Sequence, residues 1–355
     1  MRHEHARLRR HPVRTVSMRA FVITGPGQGG VGGVPSPEAR PGQVVVDVER
    51  AGVCGTDAEF FSGAMSYLHT GQARYPIRIG HEWCGVVSAV GAGVDPVWLG
   101  QRVTGDTMLG CGHCDRCAGE RHHLCADRYE IGIRNGWPGA LAERLPVPVT
   151  ALYKLPGTLD PALGALVEPG GNALRAVRAA RLSPGRRLLV LGPGTIGLLA
   201  AMLAAAQGVE VHLMGRDDPS LAFARTLALG PTWTRESLPG LRFDAIIDAS
   251  GATSLPALAA ELVEPGGTVV YIGIAAAPSL LDTRTLVLKD VTATGVLSAS
   301  GGLADTIDLY ASGTVDPRPL IAATVTLEEV ARVLAGDRPA AWGHAPKVHV
   351  DPRAG

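Results

Sequence analysis

Apolar positions along the chain fall into two regimes, with the border near residue 186. Before it, Val-rich runs such as Val44-Val45-Val46-Asp47-Val48 and Val86-Val87-Ser88-Ala89-Val90 are broken by Gly and Pro, the pattern of short strands joined by tight turns. Residues 18–50, 86–104 and 128–155 all read this way. One stretch departs from it. Residues 160–182 start near Pro161 and repeat apolar positions at Leu163, Leu166, Ala173, Leu174 and Val177. This predicts a helix interrupted at Glu168-Pro169-Gly170-Gly171, with a carboxylate pointing from the break.

From Arg186 the pattern changes to alternating strands and helices. Residues 188–191 form an apolar run of buried-strand length, followed by Gly192-Pro193-Gly194-Thr195-Ile196-Gly197 and a helix over 198–207. Further strands are predicted at 209–214, 244–247, 268–272 and 291–294, with helical stretches between. Such alternation implies an α/β domain with a parallel sheet and right-handed crossovers. From about residue 304 the pattern gives way to two helices, 304–311 and 327–334, and a closing strand, 347–350, expected to rejoin the sheet of the first half. The division is therefore 18–167 with 304–355 for a β-rich domain and 168–303 for a doubly wound one, after an extension over 1–17.

Composition narrows the classes. A chain of 355 residues with 46% hydrophobic and 19% charged content suggests two well-filled cores. A formal net charge of zero argues against nucleic acid or an anionic membrane as main partner. No apolar run approaches the ~18 residues a membrane span needs. Residues 1–17 are rich in Arg and His and lack an apolar stretch, so they do not read as a secretory signal; they read as a disordered extension or as the product of a misassigned start. With no export signal, a cytoplasmic location is expected, and the six cysteines point to metal rather than disulfides.

Four of those cysteines, Cys111, Cys114, Cys117 and Cys125, are spaced C-x2-C-x2-C-x7-C, and four thiolates can close on one tetrahedral ion. Gly112 and Gly119 ease the turns, and His113, His122 and His123 are possible competitors. Reduced thiols or an iron–sulfur cluster are the alternatives; the absence of a second cysteine cluster favours zinc. Such a site has no vacancy and is structural. Cys54 and His81 form a second thiolate–imidazole pair, in turn-rich contexts, with Glu82 or Glu168 available as a carboxylate ligand. A zinc with an open position is catalytic. Between them, the aromatics Phe60, Phe61 and Tyr67 read as packing rather than as a pocket lining. The G-x-G-x-x-G run follows a strand, opens a helix and has an acid about 20 residues on, the context of a dinucleotide site.

Taken together, Cys54-Gly55-Thr56-Asp57, Gly80-His81-Glu82 with Gly85-Val86-Val87 and Val90-Gly91, the four-cysteine lobe and the glycine run resemble the zinc-dependent medium-chain dehydrogenase/reductase family. The resemblance extends from residue 18 to about 350. It implies a GroES-like β domain split around a Rossmann domain, two zinc ions, and NAD or NADP. Glu168-Pro169 is similar to the polyol, threonine and sugar dehydrogenase branch; other alcohol dehydrogenases have a third cysteine ligand there. The implied reaction moves a hydride between a secondary alcohol (a polyol, sugar alcohol, cyclitol or amino alcohol) and NAD(P)+, giving the ketone, in a homodimer or homotetramer. Carried over, Cys54 and His81 hold zinc with Glu82 or Glu168, Thr56 relays the alcohol proton, and Asp57 orients His81 from behind. Glu59 stands where many relatives carry a relay histidine. Gly170 and Gly171 replace bulkier residues, which suggests looser packing or a wider pocket. Asp217, thirteen residues before Gly230, favours NAD, while Arg216 beside it is suited to the phosphate of NADP. A zinc-free quinone or enoyl reductase and a non-enzymatic nucleotide-binding zinc protein are the competing readings.

Overall fold

The computed structural model describes residues 17–355. The extension expected over 1–17 lies outside the described residues except for Ser17, which already belongs to a strand, Ser17–Gly25. That strand pairs antiparallel with Gln28–Pro35.

The β-rich half is built on one long strand, Gln43–Val53, in which Val44, Val45 and Val46 are all buried, so both faces of the strand are covered. Glu82–Val90 pairs antiparallel along one side. The other side is shared: Arg144–Pro148 takes the first half and Lys347–Val350 the second, with Val348 opposite Val53. The closing strand thus returns to the first sheet as expected. Arg102–Gly105, Leu152–Lys154 and Ile321–Val325 complete a seven-stranded sheet.

The second half holds six parallel strands in the order Thr232–Trp233, Glu210–Met214, Arg187–Leu191, Phe243–Asp248, Val263–Tyr271, Thr292–Gly295. The order reverses between Arg187–Leu191 and Phe243–Asp248, and ligands of open α/β sheets bind at such a switch point, beyond the carboxyl ends of the strands. The helix that follows the first strand, Thr195–Ala206, begins three residues earlier than the predicted one, directly on the glycine run.

Two expectations about residues 160–182 are corrected. The break falls at Leu166, between the helices Pro161–Ala165 and Val167–Ala179, rather than at Glu168-Pro169-Gly170-Gly171. Pro169 is the third residue of the second helix, where a backbone N–H has no intrahelical acceptor to lose, so proline is tolerated there. Nor do the glycines loosen the packing. A Cβ at Gly170 would lie 2.2 Å from the Tyr310 hydroxyl, and one at Gly171 would lie 2.9 Å from Ala299 Cβ. Gly170 lets Val167–Ala179 press against Leu303–Ala311, and Gly171 lets it approach Ala299 and Gly302 just before that helix.

Candidate active site

Cys54 is the N-cap of a helix, Gly55–Ser62, where the sequence suggested only a turn. Asp57 organises this helix start. Its Oδ2 accepts the Cys54 N–H at 2.9 Å, and its Oδ1 accepts the Gly80 N–H at 3.2 Å, so one fully buried carboxylate ties the cysteine segment to the histidine segment. The expected hydrogen bond to His81 is not made: Nδ1 lies 3.8 Å from Asp57 Oδ1, beyond hydrogen-bond range, and has no hydrogen-bond partner among the described residues.

Ligand atoms of Cys54, His81 and Glu82 lie within 4.8 Å of one another. His81 is buried, which opposes its charge, yet Cys54, Asp57 and Glu168 drive its pKa well above the ordinary value. A proton is thus favoured where a cation fits, and soft, imidazole and carboxylate donors together suit zinc. Glu168 stands outside this trio. Burial foremost, with Glu82 adding, pushes its pKa up to about 7 against the opposing effects of His81 and of Asn172, whose Nδ2 donates to Glu168 Oε1 at 2.9 Å.

Glu82 is also the partner of Lys347, whose Nζ donates to both carboxylate oxygens at 2.7 Å and to Val53 O at 3.0 Å. Sequence reasoning missed Lys347. Its signal was a lone charge opening an otherwise buried closing strand, but the partner is 265 positions away.

A cleft of about 430 Å³ joins these residues to the parallel sheet. One wall carries Cys54, Thr56, Glu59, Tyr67, Glu82 and Lys347; the other carries Gly194, Thr195, Ile196, Ser250 and Gly273 from the strand ends at the switch point. Burial raises the pKa of Glu59. Phe60 and Phe61 pack in the core as expected, whereas Tyr67 does line the cleft. In the glycine run, a Cβ at Gly197 would come 1.9 Å from the Gly192 carbonyl oxygen, so strand and helix can meet only with glycine there. The Thr195–Ala206 helix has no side-chain cap, leaving its first N–H groups free for a pyrophosphate. Pro193 completes the turn. Beyond the neighbouring strand, Asp217 caps the helix Asp218–Thr226 through Oδ1 and the Ser220 N–H at 2.8 Å. Its Oδ2 accepts from Arg216 Nε at 2.9 Å, and the Arg216 side chain is 89% exposed.

The four cysteines of the lobe converge. Sulfur atoms around zinc at ~2.3 Å stand about 3.8 Å apart along the edges of a tetrahedron. The separations here are 3.6 Å for Cys114–Cys117, 3.8 Å for Cys114–Cys125 and 3.9 Å for Cys111–Cys117, and the residues are free thiols rather than disulfides. The candidate histidines are engaged elsewhere or lie outside the group: His122 Nε2 is 2.8 Å from Asp106 Oδ2, and His113 Nδ1 is 3.0 Å from the Cys111 carbonyl oxygen. Asp106 in turn accepts from Ser300 Oγ at 3.0 Å, linking the lobe to the chain beyond the parallel sheet.

A thiolate–imidazole–carboxylate trio facing a dinucleotide turn across one cleft defines a metal-assisted oxidoreductase architecture. Comparison with known proteins agrees. Residues 40–157 match the alcohol dehydrogenase GroES-like domain family and residues 195–312 the zinc-binding dehydrogenase family. A probable D-xylulose reductase A from Neosartorya fischeri is 30% identical over 89% of this chain and 92% of its own. Among solved structures, an alcohol dehydrogenase from Escherichia coli CFT073 complexed with NADH superposes with a TM-score of 0.85 at 25% identity, covering 95% of this chain and 99% of that one. A putative zinc-binding dehydrogenase from Sinorhizobium meliloti bound to NADP gives 0.84 at 29% identity, with 95% and 100% coverage. The chain belongs to the zinc-dependent medium-chain dehydrogenase family. No helix among the described residues is long and apolar enough to cross a membrane.

Proposed function

We propose that the protein interconverts a polyol-type secondary alcohol and its ketone using NAD(P). The observation that carries this reading is the shared cleft, in which Cys54, Thr56 and Glu82 face Gly194, Thr195 and Ile196. The similarity to a D-xylulose reductase supports the polyol class. Zinc held by Cys54 and His81 with Glu82 or Glu168 would supply Lewis-acid polarisation of the substrate oxygen, and a nicotinamide would exchange the hydride. Thr56 accepts the alcohol proton and passes it toward solvent, with Glu59 at the cleft wall as the next acceptor. Asp57 holds the cysteine and histidine segments in register. Lys347 donates to both Glu82 oxygens and holds that carboxylate at the cleft wall, where it would be available to the metal. The four-cysteine lobe carries a second, structural zinc. The Cys54–His81–Glu82 cluster speaks against the zinc-free reductase reading.

For the cofactor, Asp217 favours NAD. Among the described residues its Oδ2 is held by Arg216 alone and can turn to the ribose hydroxyls, while its charge repels a 2′-phosphate. The relatives bound to NADH and to NADP span both choices. Association of copies is supported by the edge strand Thr292–Gly295 and the neighbouring Leu280, Val287 and Leu288, each at least 79% exposed. A panel of polyols, amino alcohols and sugar alcohols, read by reduced-nicotinamide absorbance with NAD+ and NADP+, tests the reading. Turnover of a polyol is expected, with higher kcat/KM for NAD+ and a gap narrowed by Asp217→Ala. A preference for NADP+ abolished by Arg216→Ala reverses the cofactor assignment.

A further inference from the structure

The β-rich half contains a second cavity of about 580 Å³, larger than the cleft and sharing no lining residue with it. Val22, Val34, Ile77 and Trp137 give it an apolar wall, and Arg74 and Arg78 give it charge; no Asp or Glu lines it. The Arg78 guanidinium makes no ion pair or hydrogen bond among the described residues, and its Nε is shut away from water. Arg78 is half-buried; a cation that is partly stripped of water and unpaired loses hydration, and such groups are normally matched by a partner. Burial accordingly pulls the Arg78 pKa down to about 10.

The surroundings are held in place. Ile77 exchanges backbone hydrogen bonds of 2.9 Å with Ile23, the Gly139 N–H donates to the Arg78 carbonyl at 2.8 Å, and Trp137 Nε1 donates to Pro146 O at 3.0 Å. Pinned in this way, the indole and Arg78 frame a preformed cavity. The structure assigns this cavity as a binding site for a phosphate monoester with an apolar or aromatic body. Two guanidiniums match a dianion, for which their planar forks are suited, and the Trp137 wall matches the body. The chain's own first sixteen residues, outside the described part, are no better occupant by charge: they carry five arginines and one glutamate.

Phenyl phosphate titrated calorimetrically into the zinc-loaded enzyme tests the site, with reduced dinucleotide saturating the glycine run. The expected result is binding to the unmutated enzyme at millimolar or lower concentration, weakened about tenfold or more in Arg78→Met through loss of a charge-assisted pair, and weakened in Arg74→Gln. Phenol should not bind, and inorganic phosphate should bind more weakly. Absence of binding to the unmutated enzyme, or equal affinity in Arg78→Met, overturns the assignment; equal affinity for inorganic phosphate overturns the apolar body. Without ligand, Arg78→Met should melt at or above the unmutated protein, and at a given concentration phenyl phosphate should raise Tm more in the unmutated protein than in Arg78→Met. Should Arg78→Met fail to fold, Arg78→Lys keeps the charge but loses the fork; it should bind more weakly than the unmutated enzyme, and unchanged binding contradicts the fork contact.

Discussion

Asp57 acts through the backbone. By accepting the N–H groups of Cys54 and Gly80, it ties together the segments of two candidate ligands, Cys54 and His81, that lie 27 positions apart in sequence. Thr56, its neighbour on the first turn of the same helix, lines the cleft, where the proposed relay needs a hydroxyl. Thr56→Ala should lower kcat by about 10²–10⁴, the usual effect of losing one acid–base partner, while zinc content stays unchanged. Single-turnover rates with parallel metal analysis measure both; near-normal turnover would remove Thr56 from the relay. At this scale the sequence was most legible where chemistry demands a residue type at short spacing. The four-cysteine lobe stood out on that ground, and its cysteines lie at sulfur separations that fit one ion; Cys54 and His81, 27 positions apart, stood out only through the motifs around them. Lys347 and Asn172 did not, because a lysine or an asparagine carries no signature until the fold delivers its carboxylate.

Among elements, the paired helices Pro161–Ala165 and Val167–Ala179 show how local reading goes astray. A Pro-Gly-Gly run looks like a helix break by propensity, but the proline sits where no N–H is needed, and the glycines answer to Tyr310 and Ala299, more than 120 positions later. Gly170→Ala should therefore lower stability by about 1–3 kcal/mol through overpacking against Tyr310, despite alanine's better helix propensity. Thermal or denaturant unfolding measures this; a variant as stable as the parent would mean that the contact relaxes freely. Four of the parallel strands were legible to within one residue at each end, being short runs between turn residues, but Val263–Tyr271 starts five residues before the expected 268 and Thr232–Trp233 was not expected. The helix at Gly55–Ser62 was not legible, because eight residues with a mixed polar face give too little periodicity.

At the scale of the whole molecule, the chain folds a ligand trio onto one sheet and a dinucleotide turn onto another, and the cleft between them is where the two meet. The closing strand Lys347–Val350 binds the far end of the chain into the first sheet and delivers the counter-charge of Glu82. The account's central claim is that the Cys54 site holds the working metal while the cysteine lobe holds a structural one. Zinc content, melting temperature and polyol-dependent nicotinamide reduction, measured together on the unmutated enzyme, Cys54→Ser and Cys111→Ser, test it most directly. The two ligand groups predict two zinc ions in the unmutated enzyme. Cys54→Ser should lose one of them and its turnover while melting near the parent, and Cys111→Ser should lose the other with a clear drop in Tm. Turnover retained in Cys54→Ser, or a metal-free enzyme as active as the zinc-loaded one, would contradict the account.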